Sequence, residues 1–400
     1  MDYELNYAGA DEFAAVAQLD GASFGFQYSE TELRDAELDV ELDTILVARD
    51  GRQIVGASAE VPFELTMPGG RQVDVTGLSW VSVEITHRRQ GILRAMMEQQ
   101  VRDRAARDVT AMVLTASEGG IYPRFGYGIA TTVRKIAIDR RAALVAQPVS
   151  DHGVVRLLTD EARPLLPGLY DRWRRQTPGA LDRNEKRWEW VMLDRDYQRH
   201  GMSALFHLVH ADGYLSYRVR TGSNEVGVQN VGVVFDYAPC TPAAHAALWQ
   251  VLLGMDLCAR IESSRVPLDD PLPFLLADAR QVTTTGLADG LWVRPLDVSA
   301  LLSARRYAVD VDARLRVHDA LLGDATYRLQ GGPDDATCAR TDADADIDLH
   351  VSDLGAISLG GSRLVPLLRA GRVRCADERL ASRLDRAFLG DVAPQYGTGF

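Results

Sequence analysis

The sequence contains 400 residues, of which 46% are hydrophobic and 25% are charged. This composition is ordinary for a globular protein, and the length predicts two to four domains at about 100–200 residues each. The formal net charge is −12, with an isoelectric point near 5.2. Such a surface repels the phosphates of nucleic acids, so we expect no nucleic-acid partner and a preference for cationic ligands.

Cysteine usage and the start of the chain indicate a cytoplasmic protein. The cysteines lie far apart and form no CxxC pair, at Cys240, Cys258, Cys338 and Cys375. This spacing favours reduced thiols over a disulfide framework or a zinc site, and we expect no metal. The acidic start lacks the basic and apolar regions of a secretory signal, and no run of about 18 apolar residues predicts a membrane span.

The first predicted unit is a mixed α/β arrangement that ends near residue 145. Apolar residues recur at helical spacing in two segments, and the Asp50-Gly51 turn separates two segments with strand character. In chain order we predict a helix over 8–19, strands over 43–50, 53–63, 71–75 and 78–83, a helix over 91–107, a strand over 109–115, a short helix over 119–125 and a strand over 131–138.

The second and third predicted units begin near residues 154 and 291. In the second we predict helices over 161–175, 184–192 and 242–255, strands over 204–209, 214–219, 226–235 and 259–266, and an irregular Pro-rich run over 267–273. Its order resembles that of the first unit, which suggests a degenerate duplication. In the third we predict helices over 298–305, 354–359, 364–370 and 377–388, and strands over 307–317, 325–329, 337–340 and 345–351.

The strongest local signal for a ligand lies between Val81 and Arg94. There a strand leads into a loop that contains Arg88, Arg89 and Gly91, and the loop leads into a helix. Backbone N–H groups at the start of a helix are unpaired and attract anions, and glycine permits a close approach of the backbone. This order predicts a pyrophosphate site, although the segment matches neither the Walker A loop nor the dinucleotide-binding GxGxxG pattern.

A second tract, from Thr115 to Gly128, follows one helix and one strand further on. The first tract reads THRRQGILRA from Thr86 and the second ASEGGIYPRFGYG from Ala116. Together they resemble the enhanced intracellular survival (Eis) family within the Gcn5-related (GNAT) N-acetyltransferases, whose tracts read close to THRRRGLLRA and ASEGGIYGRFGYG. The segment after Arg88 departs from the GNAT pattern [QR]xxGx[GA] because Leu93 occupies its last position.

The resemblance spans the whole chain and implies an architecture and an activity. It implies an α/β (α+β) fold in three parts: a GNAT domain over 1–145, a degenerate GNAT-like domain over 146–290, and a sterol carrier protein-like α/β domain over 291–400. It further implies an acetyl-CoA-dependent N-acetyltransferase that acts on aminoglycosides, an antibiotic-resistance activity, by direct attack in a ternary complex. The expected partners are a small-molecule amine and, as in the family, further copies of the chain in a homohexamer.

Roles for individual residues follow from the matched positions. The resemblance implies cofactor binding by Val81, Val83, Arg88, Arg89, Gly91, Ile92, Leu93, Arg94, Glu118, Gly119, Gly120 and Ile121. It implies that Tyr127 protonates the departing thiolate and that the carboxylate of Phe400 accepts the amine proton. The chain ending Gly397-Thr398-Gly399 is less bulky than the family's, which affects how firmly the terminus docks.

The chemistry of acetyl transfer is consistent with these roles. Aliphatic ammonium groups have pKa values near 10, so a proton must leave before the nitrogen attacks a thioester. A tyrosine is a suitable proton donor, and an α-carboxylate with a pKa near 3.5 is charged at pH 7. Tyr127 also fits as a packed aromatic residue, although we expect Gly126 and Gly128 to leave space around it. Phe24 and Phe26 fit an amine pocket or the core, and Trp80 fits the core.

Two other functions remain open at this point. An acetyltransferase of the same class would act on protein lysines or on a small metabolic amine. A lipid carrier would use the third unit as its binding domain and the GNAT units as a scaffold.

Overall fold

The structure is a computed structural model that describes residues 3–224 and 227–400. The part of the chain up to residue 129 forms strands β1 (Glu4–Tyr7), β2 (Ile45–Asp50), β3 (Gln53–Thr66), β4 (Gln72–Val83), β5 (Ala111–Thr115) and β6 (Gly128–Ile129) and helices α1 (Phe13–Phe24), α2 (Glu30–Ala36) and α3 (Ile92–Ala105).

The middle of the chain contributes a second set of elements. Its strands are β7 (Thr132–Asp139), β8 (Val155–Leu158), β9 (Phe206–His210), β10 (Gly213–Arg220), β11 (Ser223–Asn224), β12 (Gly227–Val228), β13 (Asn230–Pro239), β14 (Cys258–Val266) and β15 (Val282–Asp289). Its helices are α4 (Thr159–Ala162), α5 (Leu166–Arg174), α6 (Glu185–Val191), α7 (Asp196–Arg199), α8 (Pro242–Leu253) and α9 (Leu272–Leu275).

The last part of the chain forms a smaller domain after one further strand. The strands are β16 (Leu291–Pro295), β17 (Val311–His318), β18 (Ala325–Gly331), β19 (Ala336–Arg340), β20 (Ile347–His350) and β21 (Val373–Cys375). The helices are α10 (Val298–Ser303), α11 (Val351–Ile357), α12 (Leu364–Arg369) and α13 (Glu378–Ala387). Strands β17 to β21 form a five-stranded sheet in the order β19-β18-β17-β20-β21.

The first two sheets share one plan. The first has the order β1-β2-β3-β4-β5-β16-β6, and the second has the order β8-β9-β10-β13-β14-β7-β15. In each, the fourth and fifth strands are parallel, and a helix connects them: α3 between β4 and β5, and α8 between β13 and β14. A parallel pair requires such a crossover. The common order supports the predicted degenerate duplication.

The second sheet is inserted into the first domain. All seven of its strands lie between residues 132 and 289, whereas β16 returns to the first sheet and pairs with β5 and β6. The ends of the insertion meet, because the N–H of Gly290 donates to the carbonyl of Thr131 at 2.9 Å and the N–H of Leu291 donates to the Thr131 hydroxyl at 2.7 Å.

Several predicted elements differ from the structure. The strand predicted over 131–138 to close the first unit lies in the second sheet, because it pairs with β14 and β15. The two strands predicted over 71–75 and 78–83 are one strand, interrupted by a bulge at which Trp80 has a φ of 50°. Helix α9 begins inside the Pro-rich run, since proline is tolerated in the first turn of a helix. Of the strand predicted over 226–235, Val226 lies outside the described residues.

Within residues 3–224 and 227–400, no helix combines the length and apolar character that crossing a bilayer requires.

Candidate active site

Strands β4 and β5 diverge in the middle of the first sheet. They pair only at Val75 with Ala111, Thr76 with Met112 and Gly77 with Val113. Beyond this point β4 continues along β3, while β5 continues along β16. The β5-facing edge of β4 therefore carries backbone groups that can pair with a ligand as an added strand would.

Val81 and Val83 lie on this diverging part of β4. Both side chains are half-buried, in contact with the apolar clusters beneath helix α3. The bulge at Trp80 shifts the register with β3 between Ala57 and Ala59. A bulge re-aims the residues that follow it, so the last residues of β4 turn towards the start of α3.

The loop before α3 has the features of an anion site. Gly91 is the residue before the helix, with a φ of 88°, and Arg89 has a φ of 64°. Among the described residues, the N–H groups of Gly91, Ile92, Leu93 and Arg94 have no backbone acceptor. The side chains of Arg89 and Arg94 are exposed, and Arg88, also exposed, donates from Nε to the carbonyl of Val83 at 3.2 Å. These groups present positive charge at the positive end of a helix dipole.

Four further predicted residues lie in the segment that follows β5. Glu118, Gly119 and Gly120 are exposed, and Ile121 is half-buried. A 3₁₀ turn over Tyr122–Phe125 then brings the chain back to the sheet.

Tyr127 lies beneath the point of divergence on the α3 side of the sheet. It is fully buried, and its hydroxyl approaches the sulfur of Met112 at 3.7 Å. Met112 is one of the last β5 residues that pair with β4. Burial raises the pKa of Tyr127 above its usual range, so the phenol keeps its proton at neutral pH.

The glycines beside Tyr127 do not open its surroundings, and that prediction is wrong. A Cβ atom on Gly128 would lie 1.8 Å from the carbonyl oxygen of Ser352 in α11, and one on Gly126 would lie 2.8 Å from Val351. The glycines allow the third domain to approach the backbone closely, which closes this side of the tyrosine.

The C-terminal residue reaches the same place from the opposite face of the sheet. The ring of Phe400 lies 4.9 Å from that of Phe63, and a Cβ atom on Gly77 would lie 2.8 Å from it. Gly77 is the last β4 residue that pairs with β5. Within the described residues, the terminal carboxylate forms no ion pair.

Tyr127 and Phe400 thus flank the divergence from opposite faces. Met112 faces the cluster under α3 that contains Tyr127, whereas Val75 and Val113 face the cluster against which Phe400 packs. Side chains alternate along a strand, so Gly77 shares the face of Val75. A molecule that passes between the strands would have Tyr127 on one side and Phe400 on the other.

An aromatic and acidic wall lies near the Phe400 face. The rings of Phe26 and Tyr28 are 4.9 Å apart, those of Tyr28 and Trp80 are 6.1 Å apart, and the Trp80 indole donates to Asp39 at 3.4 Å. Phe26 therefore joins this wall. Phe24 lies at the end of α1 with an exposed side chain and forms no aromatic pair with the described residues.

Sequence reasoning missed Asp20, Asp39, Arg183 and Arg187. Asp20 is buried, with one oxygen lacking a hydrogen-bond partner among the described residues, and burial followed by the charge of Asp39 raises its pKa to about 6. Arg187 pairs with Asp39 and donates to the carbonyl of Gly399 at 3.5 Å. A single acidic residue on an apolar helix face was a visible signal for Asp20, whereas the arginines act through contacts distant in sequence.

Three family models match the chain. Two are described as an acetyltransferase (GNAT) domain, over residues 4–130 and 179–295, and the third as a sterol carrier protein domain, over residues 298–397. The diverging strands, the basic loop before α3 and these matches define a GNAT acetyltransferase with tandem GNAT domains and a sterol carrier protein-like domain.

Similarity to individual proteins narrows this class. The chain is 39% identical over 366 residues to the N-acetyltransferase Eis of Mycobacterium tuberculosis, with 89% of each chain covered. It is 36% identical over 371 residues to an uncharacterized N-acetyltransferase of Streptomyces avermitilis, with 90% of each covered. The chain belongs to the Eis family of N-acetyltransferases.

Solved structures share the whole fold. The crystal structure of Eis1 from Mycobacterium abscessus superposes with a TM-score of 0.88 at 29% identity, over the full length of both chains. A GCN5-related N-acetyltransferase from Anabaena variabilis gives 0.85 at 17% identity, also over both full chains; that likeness concerns the fold alone.

Proposed function

We propose that the chain transfers the acetyl group of acetyl-CoA to amines of polycationic substrates, aminoglycosides first among them, within a ternary complex. The observation that carries this proposal is the position of Tyr127 and Phe400 at neighbouring pairs of the β4–β5 ladder, Thr76–Met112 and Gly77–Val113, from opposite faces of the sheet. Donor and acceptor would approach from opposite faces and meet where the strands part.

The described residues fit the acyl donor as a substrate. The start of α3, with Arg88, Arg89 and Arg94, would hold the pyrophosphate, and Val81 and Val83 lie along the open edge of β4 where a pantetheine amide chain can pair. Glu118 to Ile121, in the segment that follows β5, would line the acyl end.

The proposed reaction balances with two groups of the chain. The neutral amine nitrogen forms a bond to the thioester carbonyl carbon, and the carbon–sulfur bond breaks. The proton that leaves the amine goes to the Phe400 carboxylate, directly or through water, and the departing thiolate takes the proton of Tyr127. The Phe400 carboxyl group then releases its proton to solvent and Tyr127 takes one up, which restores both groups. The buried, protonated Tyr127 is suited to the second transfer.

Charge around the Phe400 face supports a cationic acceptor. Residues 30–43 contain seven carboxylates and one arginine. Three of these carboxylates form ion pairs with cations of the second domain, namely Asp35 with Arg195, Asp39 with Arg187 and Glu41 with Lys186, and the other four form no ion pair among the described residues. Asp20 adds a further carboxylate, and the rings of Tyr28 and Trp80 add π-faces to the same side. Ammonium groups are attracted by both.

Lysine side chains and small amines carry the same functional group and stay as alternative acceptors. A lipid-carrier function has less support, because the third domain fills its core with its own side chains. The homohexamer and the division at residues 145 and 290 stay predictions from the family resemblance, and the cytoplasmic location stays a prediction from the sequence.

The test is thiol release from acetyl-CoA with a panel of aminoglycosides, lysine peptides and polyamines. We expect turnover with aminoglycosides, and its loss when one residue is appended after Phe400, since the carboxylate would move by about one residue length. Turnover by the extended chain would show that the Phe400 carboxylate takes no part in the reaction. Turnover with lysine peptides alone would identify protein lysines, instead of aminoglycosides, as the acceptors.

A further inference from the structure

The second sheet contains its own divergence between parallel strands. Strands β13 and β14 pair as far as Val234 and Ser263; beyond them β13 follows β10, and β14 follows β7. This is the counterpart of the opening between β4 and β5. Its lining includes Asp236 of β13, Ser263 and Arg265 of β14, and residues 395–397.

The chain's own C-terminal segment lies in this cleft. Gln395 donates from its side chain to the carbonyl of Arg265 at 3.4 Å, and the Arg265 guanidinium lies 5.5 Å from the ring of Tyr396. The N–H of Leu181 donates to the carbonyl of Tyr396 at 3.2 Å. Residues 395–397 therefore contact the β14 wall through Arg265 and the segment after α5 through Leu181.

A buried ion pair holds the segment on the β13 side. Arg183 pairs with both oxygens of Asp236, at 2.7 and 3.0 Å, and the Tyr214 hydroxyl donates to Asp236 at 2.6 Å. The same guanidinium donates to the carbonyl of Gly397 at 3.1 Å and to the hydroxyl of Thr398. The five N–H groups of Arg183 lie in one plane. The hydrogen bonds to Asp236 therefore fix the direction of the N–H groups that donate to the C-terminal tail, residues 395–399.

The tail fits this cleft through one glycine. Gly397 has a φ of 70°, and a Cβ atom there would lie 2.7 Å from Trp173 and 2.8 Å from the Tyr170 hydroxyl. The absence of a side chain at Gly397 therefore permits the C-terminal segment to pack closely against α5.

We propose that the cleft between β13 and β14 is a binding site for residues 395–399 of the same chain, and that Arg183 and Asp236 are positioning residues that aim the Phe400 carboxylate. The catalytic part of this inference rests on the proposed function, whereas the binding part does not. The opening in the second domain, which corresponds to the proposed acyl-donor site of the first domain, thereby binds a peptide segment.

The experiment uses the full-length protein with Arg183→Lys, and with Thr398→Val as a milder variant that removes one acceptor and keeps the side-chain shape. Arg218→Lys is the matched control, because Arg218 and Asp194 form a similarly buried pair in the same domain, and the hydrogen bonds of Arg218 go to Asp194 and Ser203 instead of to residues 395–400. Three quantities are measured: release of phenylalanine by carboxypeptidase, kcat for amine acetylation, and the Kd of acetyl-CoA.

We expect both tail variants to release phenylalanine on the order of tenfold faster than the native protein and the control, because the segment opens more often. We expect kcat to fall about 10- to 100-fold with an unchanged Kd for acetyl-CoA, because the carboxylate is misplaced while the donor site is intact. Phenylalanine release at the native rate in both variants would overturn the binding site. Faster release with native kcat would keep the binding site and refute both the positioning role and the catalytic carboxylate.

Discussion

Tyr127, the proposed general acid, has few polar contacts that its replacement by phenylalanine would break. Its hydroxyl is buried, and Met112 sulfur, a weak acceptor, is the partner it has among the described residues. Removing the hydroxyl would therefore leave no strong hydrogen-bonding group unsatisfied. Stability and proton donation can be separated at this residue.

We expect Tyr127→Phe to lower kcat about 10²- to 10⁴-fold, the usual contribution of a general acid, with a change in unfolding free energy below about 1 kcal/mol. Steady-state kinetics and thermal unfolding measure the two effects. Tyr122→Phe, at a neighbouring buried tyrosine, serves as the control. Equal losses of activity in both variants would indicate a packing role for Tyr127.

Asp20 predicts a pH dependence of stability. Its folded-state pKa of about 6 lies above the ordinary 3.8, because burial and Asp39 disfavour its charge. Between pH 4 and 6 the folded protein thus binds more protons than the unfolded chain, and stability falls as pH rises. We expect Asp20→Asn to stabilise the protein by about 1–3 kcal/mol at pH 8 and to lose this gain below pH 4.

Thermal unfolding of Asp20→Asn across this pH range is the measurement, with the exposed Asp11→Asn as a control. A lower melting temperature for Asp20→Asn at pH 8 would show that the carboxylate is stabilised by a contact instead of being penalised by burial.

At the scale of elements, the contact between β6 and α11 joins the first and third domains. Gly128 lies so close to α11 that backbone atoms of Ser352 and Ala356 occupy the space of a side chain. Neither element can yield easily, because the obstacle is the helix backbone and not a flexible side chain.

We expect Gly128→Ala to destabilise the protein by about 3 kcal/mol, because overpacking here must separate two domains. Gly168→Ala is the control, since Gly168 lies exposed on α5 with no atom within 4 Å of its Cβ position. That substitution should stabilise α5 by about 0.5–1 kcal/mol. Equal melting temperatures for the two variants would show that the β6–α11 contact can relax.

At the scale of the whole molecule, the inserted second domain makes the first domain discontinuous. Strand β16 covers the edge of β5 and contributes the buried residues Leu291, Trp292 and Val293. A fragment that ends at residue 145 would lack this strand and expose an unpaired edge.

We expect residues 1–145 to fold poorly, and residues 1–131 joined directly to 290–297 to regain cooperative unfolding, because Thr131 and Gly290 are already hydrogen-bonded neighbours. Near-ultraviolet circular dichroism during urea unfolding distinguishes the two. The prediction fails if residues 1–145 unfold at the same urea concentration as the joined fragment.

Local patterns predicted most of the elements, whereas long-range pairing escaped them. The helix over 91–107 and the basic loop before it follow from apolar spacing and from Gly91, and the structure places α3 over Ile92–Ala105. No local sequence pattern marks the start of the insertion after Thr131, because β7 has the same alternation of buried and exposed residues whichever sheet it joins. The tail site escaped for the same reason: Arg183 and Thr398 are distant in sequence.

The adjacent ends of the insertion also bear on how such genes recombine. Two crossovers, at Thr131 and Gly290, would exchange residues 132–289 between relatives as one cassette and leave every strand of both sheets with its original neighbours. A single crossover between these points would build the second sheet from two parents. Chimeras of this family should therefore tolerate paired junctions far better than single ones.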